Sequence, residues 1–338
     1  MTIVAAGEVL ATEQAASAMG VMMRGEASSE EIAGFLLGVT ARGPTIDELA
    51  GFTQTMRDYA VPVSVGDPNA VDLCGTGGDG AGTFNVSTAA AFVCAGAGCT
   101  VAKHGNRSVS SRAGSADVLE ALDVETPSNA SGVEYCIEET GIGFIFAPFF
   151  HPAMKNVMPV RKSLGVRTFF NILGPLCNPA GVRRQLVGAY SAGVAAMIAG
   201  VLARLGADHV IAAHSEDGLD EISISAPTTL FEYRRRSDIS PEERVFEPSH
   251  AGVSRYDLND LAGGDARRNA DIVLQILSGE EGAGREIVIV NSAHAIMAAG
   301  AADDLETAVA MARTSIDSGA AMGKLEALRR ASRKMPRS

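Results

Sequence analysis

Val71-Asp-Leu-Cys-Gly-Thr-Gly-Gly-Asp-Gly80, continuing as Ala-Gly-Thr83-Phe-Asn-Val-Ser-Thr88, is the stretch on which the reading of this chain turns. Val71–Cys74 is a short run of strand type and Val86–Gly96 has the composition of a buried helix. Between them stand Gly75, Gly77, Gly78, Gly80 and Gly82. A tight turn needs one glycine. A run of them lets the backbone approach an anion closely, and the start of the next helix adds its positive end. The loop is read as neither a Rossmann nor a Walker loop. The loop reads as a phosphate cradle, with Ser87 and Thr88 either lining it or capping the first helical turn.

The same strand–loop–helix texture recurs downstream. Thr100–Lys103 reads as a strand and Ser115–Leu122 as a helix, with Lys103-His-Gly-Asn-Arg-Ser-Val-Ser-Ser111 between them. Lys103 and Arg107 supply charge and the hydroxyls supply directed bonds, a combination suited to several phosphate groups. A polar surface loop is the plainer reading, weakened by the presence of two such loops after two strands. Gly143–Ala147, Gln185–Tyr190 and His209–His214 read as further strands, Val194–Leu205 as a helix, Ile287–Val290 as a possible strand and Ala293–Arg313 as helical. Strands alternating with helices predict an α/β fold with a mainly parallel central sheet.

After His209–His214 comes Asp217-Gly-Leu-Asp-Glu221. Alone it is an ordinary acidic loop. Beside two phosphate loops, its carboxylates suit Mg²⁺, which takes one or two carboxylates and completes its shell with phosphates and water. Arg161–Pro179 interrupts the α/β pattern as a Gly/Pro/Asn-rich loop, and basic residues gather in and before it, in His151-Pro-Ala-Met-Lys-Asn156, Arg161-Lys162 and Arg167. These cations read either as the holders of an anionic acceptor or as an exposed helix face.

Residues 1–60 have a different character. Thr12 can cap a helix running to Arg24, with Gly25 as its stop, and Ser28–Glu31 and Thr45–Glu48 have capping-box spacing. Val61–Ala70, with two prolines, reads as the exit from a small helical unit.

Composition narrows the function. The 338 residues are 46% apolar and 20% charged, with a net charge of −12. That length suggests two domains. The acidic balance argues against a nucleic-acid or anionic-membrane partner. Five cysteines without a Cys-x-x-Cys pair fit a reducing compartment, and the first residues lack a basic, then apolar, leader pattern, so a cytoplasmic location is expected. The uncharged stretches Ala81–Ala102 and Gln185–Ala203 carry polar breaks and read as buried elements rather than membrane spans.

The blocks Cys74–Thr88, Lys103–Glu120, Gly143–Pro179, Gly218–Ser223 and Ser315-Ile-Asp-Ser-Gly319, in this order, resemble the anthranilate phosphoribosyltransferase family. The resemblance implies a small helical domain (1–69 with part of 160–184), an α/β domain (70–159 and 185–338) and a homodimer joined through the helical parts. It implies a phosphoribosyl pyrophosphate (PRPP) site lined by Gly75, Gly78, Asp79, Thr83, Asn85, Val86, Ser87, Thr88, Lys103, His104, Gly105, Asn106, Arg107, Ser108, Val109, Ser110, Ser111 and Ser115. Gly75, Asn106 and Arg161 would meet anthranilate. Two Mg²⁺ ions are expected, one held with help from Ser87, the other by Asp220 and Glu221, and no general base is expected. Asp123 departs from the family pattern, standing where glycine is common, and Ser292-Ala-His294 is unusual. Two rivals stand beside this reading. One is a pyrimidine nucleoside phosphorylase of related fold. The other is a non-catalytic nucleic-acid-binding relative, against which the −12 charge and the Asp220–Glu221 pair both argue.

Overall fold

The computed structural model describes residues 2–107, 112–235 and 240–336. The chain begins with four helices, α1 (Thr2–Ala5), α2 (Thr12–Arg24), α3 (Ser29–Arg42) and α4 (Ile46–Asp58). Both expected capping boxes are formed. The Ser28 hydroxyl accepts from Glu31 N at 3.2 Å while the Glu31 carboxylate accepts from Ser28 N at 2.9 Å, and Thr45 with Glu48 repeats the pattern. Gly25 closes α2 in the left-handed region at φ 72°. Thr12 is not the cap: it is the first helical residue, and Ala11 holds the capping position without a side-chain bond.

After residues 61–70, which carry no helix or strand, the α/β part runs as β1 (Val71–Gly75), α5 (Val86–Gly96), β2 (Val101–Gly105), α6 (Ser115–Ala121), α7 (Ala130–Thr140), β3 (Ile142–Phe146), α8 (Ala147–Phe150), α9 (Met158–Leu164), α10 (Phe170–Leu176), β4 (Arg184–Gly188), α11 (Ala192–Arg204) and β5 (His209–Ser215). Two further strands follow, β6 (Thr228–Arg234) and β7 (Glu242–Phe246), then helices α12 (Ala266–Leu277), α13 (Ala283–Ala299), α14 (Leu305–Asp317) and α15 (Ala320–Ser332).

The strands form one seven-stranded sheet in the order β3-β2-β1-β4-β5-β6-β7. β1 to β5 are parallel, and β6 and β7 are antiparallel. Alternate residues feed opposite faces, as a pleated strand requires. Leu186, Ile211 and Ala213 join the core under α5, α13, α14 and α15, whereas Val187, Val210 and Ala212 face α11, α10 and the N-terminal helices. Val157, Val160 and Phe169–Cys177 share that second core with α2, α3 and α4.

The structure overturns three further expectations. Ile287–Val290 is helical and lies in the middle of α13. Its β-branched run imitates a strand because α13 is buried on nearly every side, so no polar stripe marks its helical period. Ala293–Arg313 is two helices, broken at Gly300 with φ 77°. The Arg161–Pro179 segment contains α9 and α10 rather than one long loop, despite Pro175 inside α10. β6, β7, α7, α8, α12 and α15 are not anticipated by the sequence patterns.

Asp123 takes φ 59°, alone among the described non-glycine residues in the left-handed region. This explains why glycine suits that position.

Candidate active site

In an open α/β sheet, ligands bind beyond the carboxyl ends of the strands where the strand order reverses. Here that point lies between β1 and β4, because β1 leads outward to β2 and β3 while β4 leads the other way to β5. The glycine loop leaves the end of β1, and the carboxylate loop leaves β5. They meet over Gly75 and Gly188: a Cβ on either glycine would run into Asp220. Gly77 N donates to Asp220 Oδ2 at 2.6 Å, and Thr76 N donates to the Gly188 carbonyl at 2.9 Å.

Gly75, Gly77 and Gly80 stand at the spacing of a dinucleotide fingerprint, but α5 opens only at Val86, so this loop is wider than a Rossmann turn. Gly77, Gly78, Gly80 and Gly82 all have positive φ. The amides of Gly78, Asp79 and Gly80 donate to no acceptor among the described residues. Several unspent amides beside a helix start are what an anionic ligand requires. Thr83 bridges to Ala262, and Asn85, at the head of α5, donates to the Ala113 carbonyl at 3.2 Å and accepts from Asn269 at 2.9 Å. Val86, Ser87 and Thr88 form the first turn of α5, and the buried Thr88 Oγ1 has no partner.

Lys103, on β2, is buried under the glycine loop. Its ammonium donates to the Leu73 carbonyl and to Ser87 Oγ at 3.3 Å. His104 lies beside His151 with ring centroids 5.2 Å apart, and neither Nε2 has a partner. Burial, then the neighbouring His151, drops His104 to about 3, and burial holds His151 at about 4. Both rings are neutral at pH 7 and add no charge to the site.

Gly105 ends β2, where a Cβ would overlap Ser115 Oγ and the Phe144 ring. Asn106 receives the Ser115 hydroxyl on its carbonyl at 3.2 Å, and its own Oδ1 accepts from Arg107 N at 2.7 Å. Arg107 is not pointed freely at the loop: it pairs with Asp117 at 2.6 Å and with Glu120. Ser108, Val109, Ser110 and Ser111 lie outside the described residues.

The carboxylates differ from the solvated loop that their sequence suggests. Asp220 and Glu221 are half-buried. Burial, then repulsion from Glu221 and Asp79, pushes Asp220 well above the usual carboxylate range. Burial also raises Glu221, to about 7, although Lys103 and the Ser87 amide pull the other way. Glu221 Oε1 accepts from Ser87 N at 3.1 Å, which ties the carboxylate loop to the first turn of α5. Asp220, Glu221 and the Ser87 hydroxyl offer hard oxygen donors of the kind that suits Mg²⁺. Among the described residues no group of three or more His, Cys, Asp or Glu is arranged to hold an ion unaided. The remaining ligands then have to come from phosphate and water, the usual habit of Mg²⁺.

Arg161, on α9, stacks over the Phe170 ring at 5.0 Å and otherwise reaches Met158 Sδ at 3.6 Å, so no carboxylate of the described chain engages it. Arg167 makes a connection that the sequence does not reveal. It donates to the Gly78 carbonyl and stacks on Tyr190 at 4.9 Å, joining the α9–α10 segment to the glycine loop. Its place in the basic run was visible, but its partner 89 residues away was not.

Residues 67–322 match the a/b domain, and residues 2–60 the helical bundle domain, of the glycosyl transferase family. The chain is 56% identical over 328 residues to the anthranilate phosphoribosyltransferase of Salinibacter ruber, covering 96% of this chain and 95% of that one. The chain belongs to the anthranilate phosphoribosyltransferase family. The Moorella thermoacetica member of the family is 48% identical, over 96% of this chain and 95% of its own. Among solved structures, the anthranilate phosphoribosyltransferase of Thermus thermophilus superposes with a TM-score of 0.91 at 40% identity, over 98% of both chains. That of Saccharomyces cerevisiae, in complex with PRPP and Mg, superposes at 0.87 with 26% identity, over 96% of this chain and 94% of that one.

Proposed function

We propose that the chain transfers the phosphoribosyl group of PRPP to the amine of anthranilate. The products are N-(5-phosphoribosyl)anthranilate and pyrophosphate, and the reaction is the second step of tryptophan biosynthesis from chorismate. The observation that carries this reading is the meeting of a glycine loop rich in unspent amides with the Asp220–Glu221 pair at the switch point of the sheet. Membership of the family supplies the acceptor.

The aromatic amine of anthranilate is neutral at pH 7 and attacks C1 of the ribose without a general base, and the acidic ammonium so formed gives its proton to the departing pyrophosphate or to water. The C1–O bond to pyrophosphate breaks with oxocarbenium character, and a negligible isotope effect at the C1 hydrogen would contradict this. The chain's task is to accept the departing negative charge and to hold the two reactants in line. The free amides of residues 78–80 and the Lys103 ammonium face that charge. Arg107 joins them by exchanging Asp117 and Glu120 for phosphate oxygens. Ser87, Thr88, Thr83, Asn85 and Ser115 supply directed bonds to PRPP. Gly75, Asn106 and Arg161 receive anthranilate, with the unpaired Arg161 guanidinium bonding both carboxylate oxygens. Ser87 would hold one Mg²⁺, and Asp220 with Glu221 a second. Bound Mg²⁺ offsets and orients the pyrophosphate charge.

The same reading divides the chain into a helical domain (1–69 with part of 160–184) and an α/β domain (70–159 and 185–338), supported by the apolar cluster that α2–α4 share with residues 157–177. It joins two copies through the helical domain, where Val9, Leu37 and Ile46 stay exposed. Light scattering is expected to give about twice the chain mass of 34.9 kDa. No described helix is long and apolar enough to cross a membrane, and all five cysteines are free thiols, which supports a reducing, cytoplasmic setting.

The deciding experiment is loss of anthranilate fluorescence. It is expected only when PRPP and Mg²⁺ are both present. Phosphorolysis of thymidine in its place would overturn the assignment.

A further inference from the structure

The turn that carries Asp220 and Glu221 is gripped from behind by one side chain. Asn291 lies in the middle of α13 and is almost wholly buried. Its Oδ1 accepts from Ile222 N at 3.0 Å, and its Nδ2 donates to the Ile222 carbonyl at 2.9 Å. The same Nδ2 donates to the Ile287 carbonyl one helical turn back, also at 2.9 Å. A side-chain amide thus pairs with both polar groups of the residue that directly follows Glu221. From the other side, Ser215 Oγ donates to the Glu221 carbonyl at 3.1 Å. Ser223 N is shared between Ser215 Oγ and Thr228 Oγ1, each at 3.1 Å.

Asp220 and Glu221 are neighbouring half-buried carboxylates that repel each other when ionised, with Asp79 adding to the repulsion, and a loop tied only at its ends would relax by swinging them apart toward water. A buried backbone also needs partners for its N–H and C=O, and Asn supplies both at once without a charge of its own.

We infer that Asn291 is a positioning residue: it holds the Ile222 peptide so that Glu221 and Asp220 keep one geometry for the divalent cation that accompanies pyrophosphate. The inference rests on the reading of these carboxylates as cation ligands. Residues that orient ligands without touching the metal commonly set its affinity by tenfold or more.

The test compares Asn291→Ala and Asn291→Ser with the wild-type enzyme. In α13 the neighbouring Ser292 already donates to its own carbonyl one turn back, Val288, at 2.6 Å. A serine at 291 can do the same toward Ile287, so Asn291→Ser keeps the helix bond and loses only the pair with Ile222. It is the variant to rely on if Asn291→Ala does not fold. Two quantities are measured: the Mg²⁺ concentration giving half-maximal rate at saturating PRPP, and the affinity for Mn²⁺ in the presence of pyrophosphate, followed by electron paramagnetic resonance without turnover. The expected result is about a tenfold rise in the Mg²⁺ requirement and a parallel loss of Mn²⁺ affinity, with kcat at saturating Mg²⁺ within about threefold of wild type. A folded Asn291→Ser enzyme with unchanged Mg²⁺ requirement and unchanged Mn²⁺ affinity overturns the inference. If Asp220→Asn with Glu221→Gln also leaves both quantities unchanged, the cation reading itself fails. If only that double variant shifts them, the cation site stands and Asn291 is a residue of the fold alone.

Discussion

Gly77, Gly80 and Gly82 turn through positive φ with nothing within reach of a Cβ, and the glycine loop touches the α9–α10 segment through Arg167 at Gly78. A few ångströms away, the turn at residues 215–223 is tied from inside by side chains, with Ser215, Asp217, Ser223, Thr228 and Asn291 bonding its backbone and one another. Both loops serve the same strand ends. One leaves its amides unspent for a ligand, and the other spends its bonds on itself so that two repelling carboxylates stay in place. A phosphate loop can adjust to oxygen atoms that arrive with the substrate, whereas a cation site gains from being set beforehand, because rigid, correctly spaced ligands lose nothing to reorganisation on binding.

The strongest way to break this contrast is at the glycines. A Cβ on Gly188 would overlap the Asp220 carbonyl, a backbone atom that the self-bonded loop cannot move. Gly188→Ala is expected to lower unfolding stability by about 3 kcal/mol and to cut kcat/KM by more than about a hundredfold, the scale of misplaced reacting groups. Gly80→Ala meets no neighbour and only forces an L-residue to φ 74°, so it should cost about 1 kcal/mol of stability and keep most of the activity. Denaturant melts and steady-state rates on the two variants check the pair. Equal losses would mean that the two loops are equally constrained.

Removing charge tests the other half. Asp220→Asn with Glu221→Gln is expected to lower activity at limiting Mg²⁺ by on the order of a hundredfold, with part of it restored by extra Mg²⁺. The thermal midpoint should hold or rise, since the change relieves repulsion between crowded, half-buried carboxylates. A fall in the midpoint together with an unchanged Mg²⁺ dependence would make these residues structural.

Arg161 sharpens the comparison by separating the acceptor from both loops. Arg161→Ala is expected to weaken anthranilate use by roughly 1.5–3 kcal/mol, the worth of a charge-assisted bond, with little change for PRPP. Equal losses for both substrates, measured as separate KM values, would place Arg161 on the pyrophosphate side.

The smallest effect concerns the anchor of the glycine loop. Arg167→Gln is expected to raise KM for PRPP about fivefold, close to the 1 kcal/mol of one hydrogen bond, while kcat and unfolding stability stay near wild type. A drop in kcat at unchanged KM would show that Arg167 acts on the reacting groups rather than on the loop.

Local features were legible in the sequence wherever the physics is local. Capping boxes at Ser28 and Thr45 and the glycine stop at Gly25 depend on residues within one turn of each other, and all three are formed. The strand–glycine loop–helix at Val71–Gly96 is equally local, because the conformations that glycine permits are a property of the residue itself. Reading failed where burial removed the signal. Ile287–Val290 has no polar face to betray its period, since α13 is enclosed by α5, α14 and the sheet. What only the tertiary structure decided is the pairing of distant parts: Asp220 against Gly77, Glu221 against Ser87, Arg167 against Gly78 and Asn291 against Ile222. Each partner is chemically ordinary in its own stretch of chain. Its role comes from strand order, which brings the ends of β1, β4 and β5 side by side, and spacing along one sequence carries no record of that order.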